Sequence, residues 1–331
     1  MNLRKANRRV SEKRDAAGRG EQRRRTNEQW GDRGRAQMGD GESDEKHQQR
    51  GKETAPKGTC QTMCPARELR DRQLQNLLHH FEVYSFVFDR LRSVKQDMII
   101  QRVSGLNCVA ILERSVRFLT YASYRLCGEP LRRYDPRIND THLQENLSWL
   151  LDCYATGTGP HPNQEEMQAL GLLYNLGSAR AAQHIMELPE RLRSSPAVTL
   201  ALSINRAFLE RNPVRVLRLA RRLNFLQSCA LHRHLATCAR DLLLIYSHGY
   251  SSRNCRFPLD RLAQLLSLDT APAARLCQAY GVVVHHGDQL VFSKAAFTEP
   301  EPGKLHCKLF HSVVAEEQRD FSVGNIIHDC A

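Results

Sequence analysis

From about residue 66 to residue 250, apolar side chains recur at spacings of three and four, and runs of β-branched residues are scarce. Only a helix gathers such positions onto one face, so this stretch confines the chain to helical folds. Ala197, Leu200, Ala201, Ile204, Ala207 and Phe208 form one stripe; Met167, Leu170, Leu173, Tyr174 and Leu176 form another, closed by Gly177. Asn212-Pro213 announces the next helix, a capping side chain followed by proline at the first helical position. Its apolar face is Val216, Leu217, Ala220 and Leu223. Helices alternating with short polar turns predict a mainly α fold of stacked helix pairs, an α-solenoid. No strict period is visible, so no defined repeat type is assigned. The loop Thr156-Gly157-Thr158-Gly159-Pro160-His161-Pro162 is too rich in glycine and proline to continue a helix, and divides a first helical layer from a second.

The period then changes. Phe257-Pro258 leads into a short helix, Leu259 to Leu266, and Asp269-Thr270 with Pro272 starts another that stops at Gly281. Val282 to His285 reads as a strand, His286-Gly287-Asp288 as a turn and Gln289 to Phe292 as the returning strand. Helix, helix, hairpin is the order of a winged-helix module, which in different proteins binds DNA or docks protein.

Charge divides the chain further. Residues 1–57 hold 16 Lys and Arg against 10 Asp and Glu, so +6 of the net +12 lies there. Leu3 and Val10 are the branched aliphatic residues of that segment, too few to offset the entropy of ordering it, so it reads as a disordered basic tail. The expected organisation is therefore tail 1–57, helical region 58–250, winged-helix module 251–300 and a C-terminal extension 301–331.

The start, Met1-Asn2-Leu3-Arg4-Lys5, does not read as a signal peptide, and no apolar run approaches the roughly 20 residues that span a bilayer, so membrane insertion is not expected. The 11 cysteines are an odd number, scattered from Cys60 to Cys330. Reduced thiols in the cytosol or nucleus follow, most of them small core residues.

Signatures of catalysis are missing from the sequence. There is no glycine-rich phosphate cradle, no Gly-x-Ser-x-Gly elbow and no His-Glu-x-x-His, so neither a catalytic residue nor a cofactor site is assigned. Glu165-Glu166 and Glu316-Glu317 read as solvated helix ends. Gly58-Thr59-Cys60-Gln61-Thr62-Met63-Cys64-Pro65 raises the question of metal. Cys60 and Cys64, with His79 and His80, make a weak zinc candidate, because zinc knuckles space their first cysteines by two residues and adjacent helical histidines diverge. Buried thiols are the favoured reading. His232 and His234 do not share a helix face, and His285 and His286 flank the hairpin turn. Arg218, Arg221 and Arg222, joined by Arg233, Arg240, Arg253, Arg256 and Arg261, could track phosphates, but no aromatic residues interleave them. A solvated, salt-bridged face is the plainer expectation. The candidates retained for nucleic acid or an acidic partner are Arg218, Arg221, Arg222, Arg256 and Arg261.

These residues also carry a family resemblance. Gly58-Thr59-Cys60-x-x-Met63-Cys64-Pro65, followed by Glu68 and Arg72, resembles the opening motif of the Sac-three/GANP family. Phe86-Val87-x-Asp89-Arg90-Leu91-Arg92-x-Val94-x-Gln96-Asp97, Leu172 to Gly177 and Phe257-Pro258-Leu259 resemble further blocks of it. Cys153-Tyr154-Ala155-x-Gly157-x-Gly159-Pro160-His161-Pro162 looks like the family's short member. The resemblance implies a PCI-like helical domain capped by a winged helix, with no catalytic site. Gly58, Cys60, Met63, Cys64 and Pro65 then form a structural motif that packs rather than binds metal. Long members are scaffolds of the transcription-and-export complex at the nuclear pore, gathering small subunits and approaching mRNA. The short member is tied to centrosome, spindle and mitotic progression, and the absence of long extensions here favours it. The expected partners are centrosome or spindle proteins, with RNA or small export-complex subunits under the alternative. The expected location is cytoplasm, centrosome and spindle, with the nucleus second. One departure stands out: relatives carry a further block between the opening motif and the Phe86 helix, where His79 to Ser85 joins the two directly. Its loss removes packing partners from the first helical layer.

Overall fold

The computed structural model describes residues 80–157, 160–285 and 287–300, together with Arg70, Phe310, Val314, Gly324 and Ile327. The tail 1–57 and the motif Gly58 to Pro65, with its weak metal candidates Cys60 and Cys64, lie outside the described residues.

Among the described residues, nine helices run in order: α1 (His80–Ile100), α2 (Gly105–Arg125), α3 (Pro136–Thr156), α4 (Gln164–Tyr174), α5 (Ala179–Glu187), α6 (Glu190–Arg193), α7 (Pro196–Leu209), α8 (Pro213–Ala220) and α9 (Phe225–Gly249). Their ends follow local chemistry. Asp135 accepts from the Arg137 backbone N–H at 2.9 Å, and Pro136 opens α3. Asn212 accepts from the Arg215 N–H at 3.0 Å ahead of Pro213, which starts α8 as the sequence predicts. Asn224 and Gln227 close a reciprocal capping box on α9.

Cys108, Leu112, Val116 and Leu119 are buried along α2, and Leu143, Leu147, Leu150 and Tyr154 along α3, which packs on it. Each leucine removed from water contributes about 1.5–3 kcal/mol. All five residues of the Met167–Leu176 stripe are buried, as are Val216, Leu217, Ala220 and Leu223. On α7 the buried face is Val198, Ala201, Ile204 and Ala207; Ala197, Leu200 and Phe208 lie half-buried at its edge. Adjacent helices pack as pairs, α7 on α8 and α8 on α9, while α9 also crosses back onto α2 and α4. By contrast, α1 buries Tyr84, Phe88 and Met98 but leaves Val83, Ile99 and Ile100 exposed.

A strand, two helices and a hairpin follow: β1 (Phe257–Pro258), α10 (Leu259–Leu266), α11 (Thr270–Ala279), β2 (Val283–His285) and β3 (Gln289–Val291). The sheet order is β1-β3-β2, antiparallel throughout, with Phe257 opposite Leu290 and Val284 also opposite Leu290 from the other side. Phe257-Pro258, expected only to lead into a helix, forms an edge strand because its partner lies on the hairpin, a pairing with no local signal. Leu259, Leu262, Leu266, Leu276, Leu290 and Phe292 make the core of this unit. Tyr246 of α9 meets Phe257 and Phe292 edge-on, with ring centroids 5.4 and 5.7 Å away, joining the helical body to the sheet. Gly281 (φ +74°) turns α11 into β2, and a Cβ there would fall 2.1 Å from the Ala296 carbonyl oxygen.

Candidate functional site

Where α8 meets β1 and α10, a cleft of about 380 Å³ opens. Val214 and Leu265 supply an apolar floor with Phe257, all three half-buried. Arg218 and Arg221, three apart at the end of α8, form one wall, and Arg261 and Gln264 of α10 form the other. Arg221 is tied down: its Nε donates to Ser267 Oγ at 3.0 Å and its guanidinium to the Gln264 carbonyl, satisfying the C-terminal end of α10. Arg261 donates to Gln264 Oε1 at 3.5 Å. Arg218 is exposed and makes no hydrogen bond or ion pair among the described residues.

The acceptors at this cleft are therefore neutral. Among the described residues, none of Arg218, Arg221, Arg222, Arg256 and Arg261 pairs with a carboxylate. The salt-bridged face expected for α8 is thus absent at its end. Arginines elsewhere behave differently. Arg206 and Arg215 reach Glu210, at 2.8 and 3.5 Å. Arg233 meets Asp140 at 2.6 Å and lies over the Tyr174 ring, 4.3 Å from its centroid, and Arg240 is held by Asp241 and Glu299. Two of the arginines placed by sequence on a phosphate-tracking face are consequently neutralised inside the fold. Arg218, Arg221 and Arg261 converge on the cleft; Arg222 and Arg256 are exposed beside its walls in sequence but do not line it.

Three guanidinia around an apolar floor concentrate positive potential; Arg221 is committed to α10, while Arg218 and Arg261 present forks that match carboxylate or phosphate geometry. What the cleft can do chemically is hold an anion that also carries an apolar group.

Other polar groups serve the frame. Glu166, expected to be a solvated helix end, reaches Arg117 at 2.6 and 3.3 Å, and the Arg117 side chain is only 2 % exposed. Glu113 accepts from Tyr154 Oη at 2.6 Å and Asn163 Nδ2 at 2.8 Å, tying α2 to α3 and to the start of α4. His232 stacks edge-on to Tyr124, while His234 bonds the Tyr174 carbonyl at 3.0 Å, so the two do point to different neighbours. Of the described cysteines, Cys108, Cys229, Cys238 and Cys277 are buried, and Cys127, Cys153 and Cys255 half-buried; none forms a disulfide. Cys108 and Cys153 bring their sulfurs within 3.7 Å, and burial, with Cys153 beside it, pushes the Cys108 thiol up to about 12. Among the described residues no three His, Cys, Asp or Glu side chains gather as metal ligands, and no described helix is long and apolar enough to cross a membrane.

The class is that of a mainly helical body continued by a small antiparallel sheet unit, with its cationic cleft at their junction. The chain belongs to the SAC3/GANP family, whose model matches residues 82–286, from α1 through the end of β2. The protein xmas of Drosophila melanogaster is 27 % identical over 234 residues, covering 67 % of this chain and 11 % of xmas. SAC3 family protein 1 of Schizosaccharomyces pombe is 22 % identical over 269 residues, 73 % of this chain and 26 % of that protein. SAC3 family protein B of Arabidopsis thaliana is 21 % identical over 234 residues, 66 % and 13 % of the two chains. This chain thus spans between about a tenth and a quarter of the length of these relatives.

Proposed function

We propose that this chain is a non-enzymatic scaffold that works through protein–protein contacts in centrosome duplication, spindle organisation and mitotic progression. Residues 80–249 are read as a PCI-like helical body and residues 257–292 as a winged-helix module docked on it. The observation that carries the scaffold reading is the cationic cleft at their junction, whose arginines meet no carboxylate among the described residues, unlike their counterparts elsewhere. A surface left uncompensated in this way favours an acidic macromolecular partner. Support for the spindle comes from the likeness of Cys153 to Pro162 to the family's short member. On this reading the protein resides in the cytoplasm, at centrosome and spindle poles, with a nuclear pool. The test is the location of the tagged full chain through mitosis; a signal that never rises at spindle poles above the surrounding cytoplasm removes the reading.

A second reading is favoured by two exposed arginines beside the cleft that meet no carboxylate among the described residues: an mRNA export adaptor of the transcription-and-export type, with Arg222 and Arg256 as phosphate contacts. RNA binding would then weaken steeply with salt and weaken further on reversing those two charges. Arg221 is a poor choice for that test because it caps α10. RNA affinity indifferent to both salt and reversal eliminates the adaptor reading.

A further inference from the structure

We propose that the cleft between α8 and α10 receives a short acidic peptide of a partner protein, with one aliphatic or aromatic side chain anchored between its carboxylates. This inference rests on the scaffold reading and names the chemistry of the partner.

Size sets the first limit. At about 380 Å³ the cleft lies at the small end of the roughly 300–1,000 Å³ span of ligand pockets. It can take one large side chain with its adjoining backbone, not the face of a helix. Val214, Phe257 and Leu265 make the seat for that side chain apolar. Charge sets the second limit. Arg218 rises from α8 and Arg261 from α10, on opposite walls, and neither meets a carboxylate among the described residues. An extended peptide advances about 3.3 Å per residue, so acids one or two residues before and after the anchor reach the two walls. Arg221 and Gln264, already bonded to each other, hold the walls in register at no further ordering cost.

Nucleic acid fits less well. Non-specific RNA surfaces track a backbone over several nucleotides and stack bases on free aromatic faces. Phe257 is the aromatic residue lining this cleft, and it is packed among Tyr246, Tyr250 and Phe292.

Panning a phage-displayed random peptide library on the full chain tests the assignment. The expected consensus is Leu, Ile, Phe or Met flanked on both sides by Asp or Glu. In fluorescence anisotropy, the consensus peptide should lose affinity by about tenfold or more against Arg218→Glu/Arg261→Glu. Replacing its anchor by Ser should weaken it comparably. Both arginines are exposed, so the variant should keep the wild-type circular dichroism; Arg218→Gln/Arg261→Gln serves if it does not. A consensus without acids, affinity unchanged by these substitutions, or an oligouridylate that loses affinity to them while no acidic consensus emerges would each overturn the proposal. The two readings fail separately. If no acidic consensus appears while the wild-type chain gathers at spindle poles, the cleft assignment falls and the scaffold stands. If the consensus appears but the wild-type chain never gathers there, the spindle assignment falls instead.

Discussion

Gly281→Ala should be far more damaging than the same change at Gly287, although both glycines have positive φ. At Gly287 (φ +79°) a Cβ meets nothing within 4 Å, so the cost is the left-handed conformation alone, about 1–2 kcal/mol. At Gly281 (φ +74°) that cost recurs, and the Cβ would also stand 2.1 Å from the Ala296 carbonyl oxygen. Relief requires backbone to move, because the clash is with main chain and not with the end of a flexible side chain. The segment that must shift is anchored: Ala296 N–H donates to Ser293 O at 3.2 Å, Thr298 N–H to Tyr280 O at 3.2 Å, and Phe297 stacks on Tyr280 with centroids 5.7 Å apart. Overpacking of this kind adds about 1–3 kcal/mol, for a total of about 2–5 kcal/mol. Urea unfolding read by circular dichroism measures both variants, and the midpoint should fall further for Gly281→Ala at unchanged m. Because β2 and β3 support the edge strand that carries Phe257, the cleft should loosen as well. Equal destabilisation of the two variants would refute the steric argument and leave only backbone conformation at work.

Glu166→Ala removes a carboxylate held bidentate against the buried Arg117 and should cost about 3 kcal/mol, read from the urea midpoint; a loss under about 1 kcal/mol would show that the pair is not needed. Burial lowers the pKa of His234 below its ordinary 6.5, so the folded state resists a proton that the unfolded state accepts. Stability from this group is complete above pH 6.5 and is lost as pH falls through the folded value; His234→Asn should flatten that part of the stability profile, and an unchanged slope would assign it to other groups. Burial pushes the thiols of Cys238 and Cys277 up to about 12, so iodoacetamide at neutral pH should modify the half-buried Cys127 and Cys255 before either of them in peptide mass spectra; early labelling of Cys277 would contradict the packing around α11.

Helices were legible where the signal is local. The Met167–Leu176 stripe, the Asn212-Pro213 start and the stop at Gly281 need only a few neighbouring residues to specify them, and each lies where the pattern puts it. Elements that depend on distant residues were not legible. Phe257-Pro258 is a strand only because Leu290 and Gln289 arrive beside it. Glu166 reads as solvent-facing until Arg117, 49 residues earlier, is packed under it.

The same distinction decides what the positive charge means. A sequence counts arginines, but it does not subtract those that folding neutralises. Arg233 finds Asp140 at a separation of 93 residues, and Arg240 finds Glu299 at 59. With those two withdrawn, an apparent basic face along α8 and α9 contracts to the end of α8. There Arg218 and Arg221 meet Arg261, which the sequence places some 40 residues on, because α8 packs against α10. An arginine paired internally is already desolvated and oriented, so a partner gains little from it. One that faces an apolar floor without a carboxylate still has its full interaction to offer. Recognition should therefore be concentrated at Arg218 and Arg261 and not at arginines that the fold already engages, so that reversing these two alters partner binding more than reversing Arg206 and Arg215, which Glu210 holds.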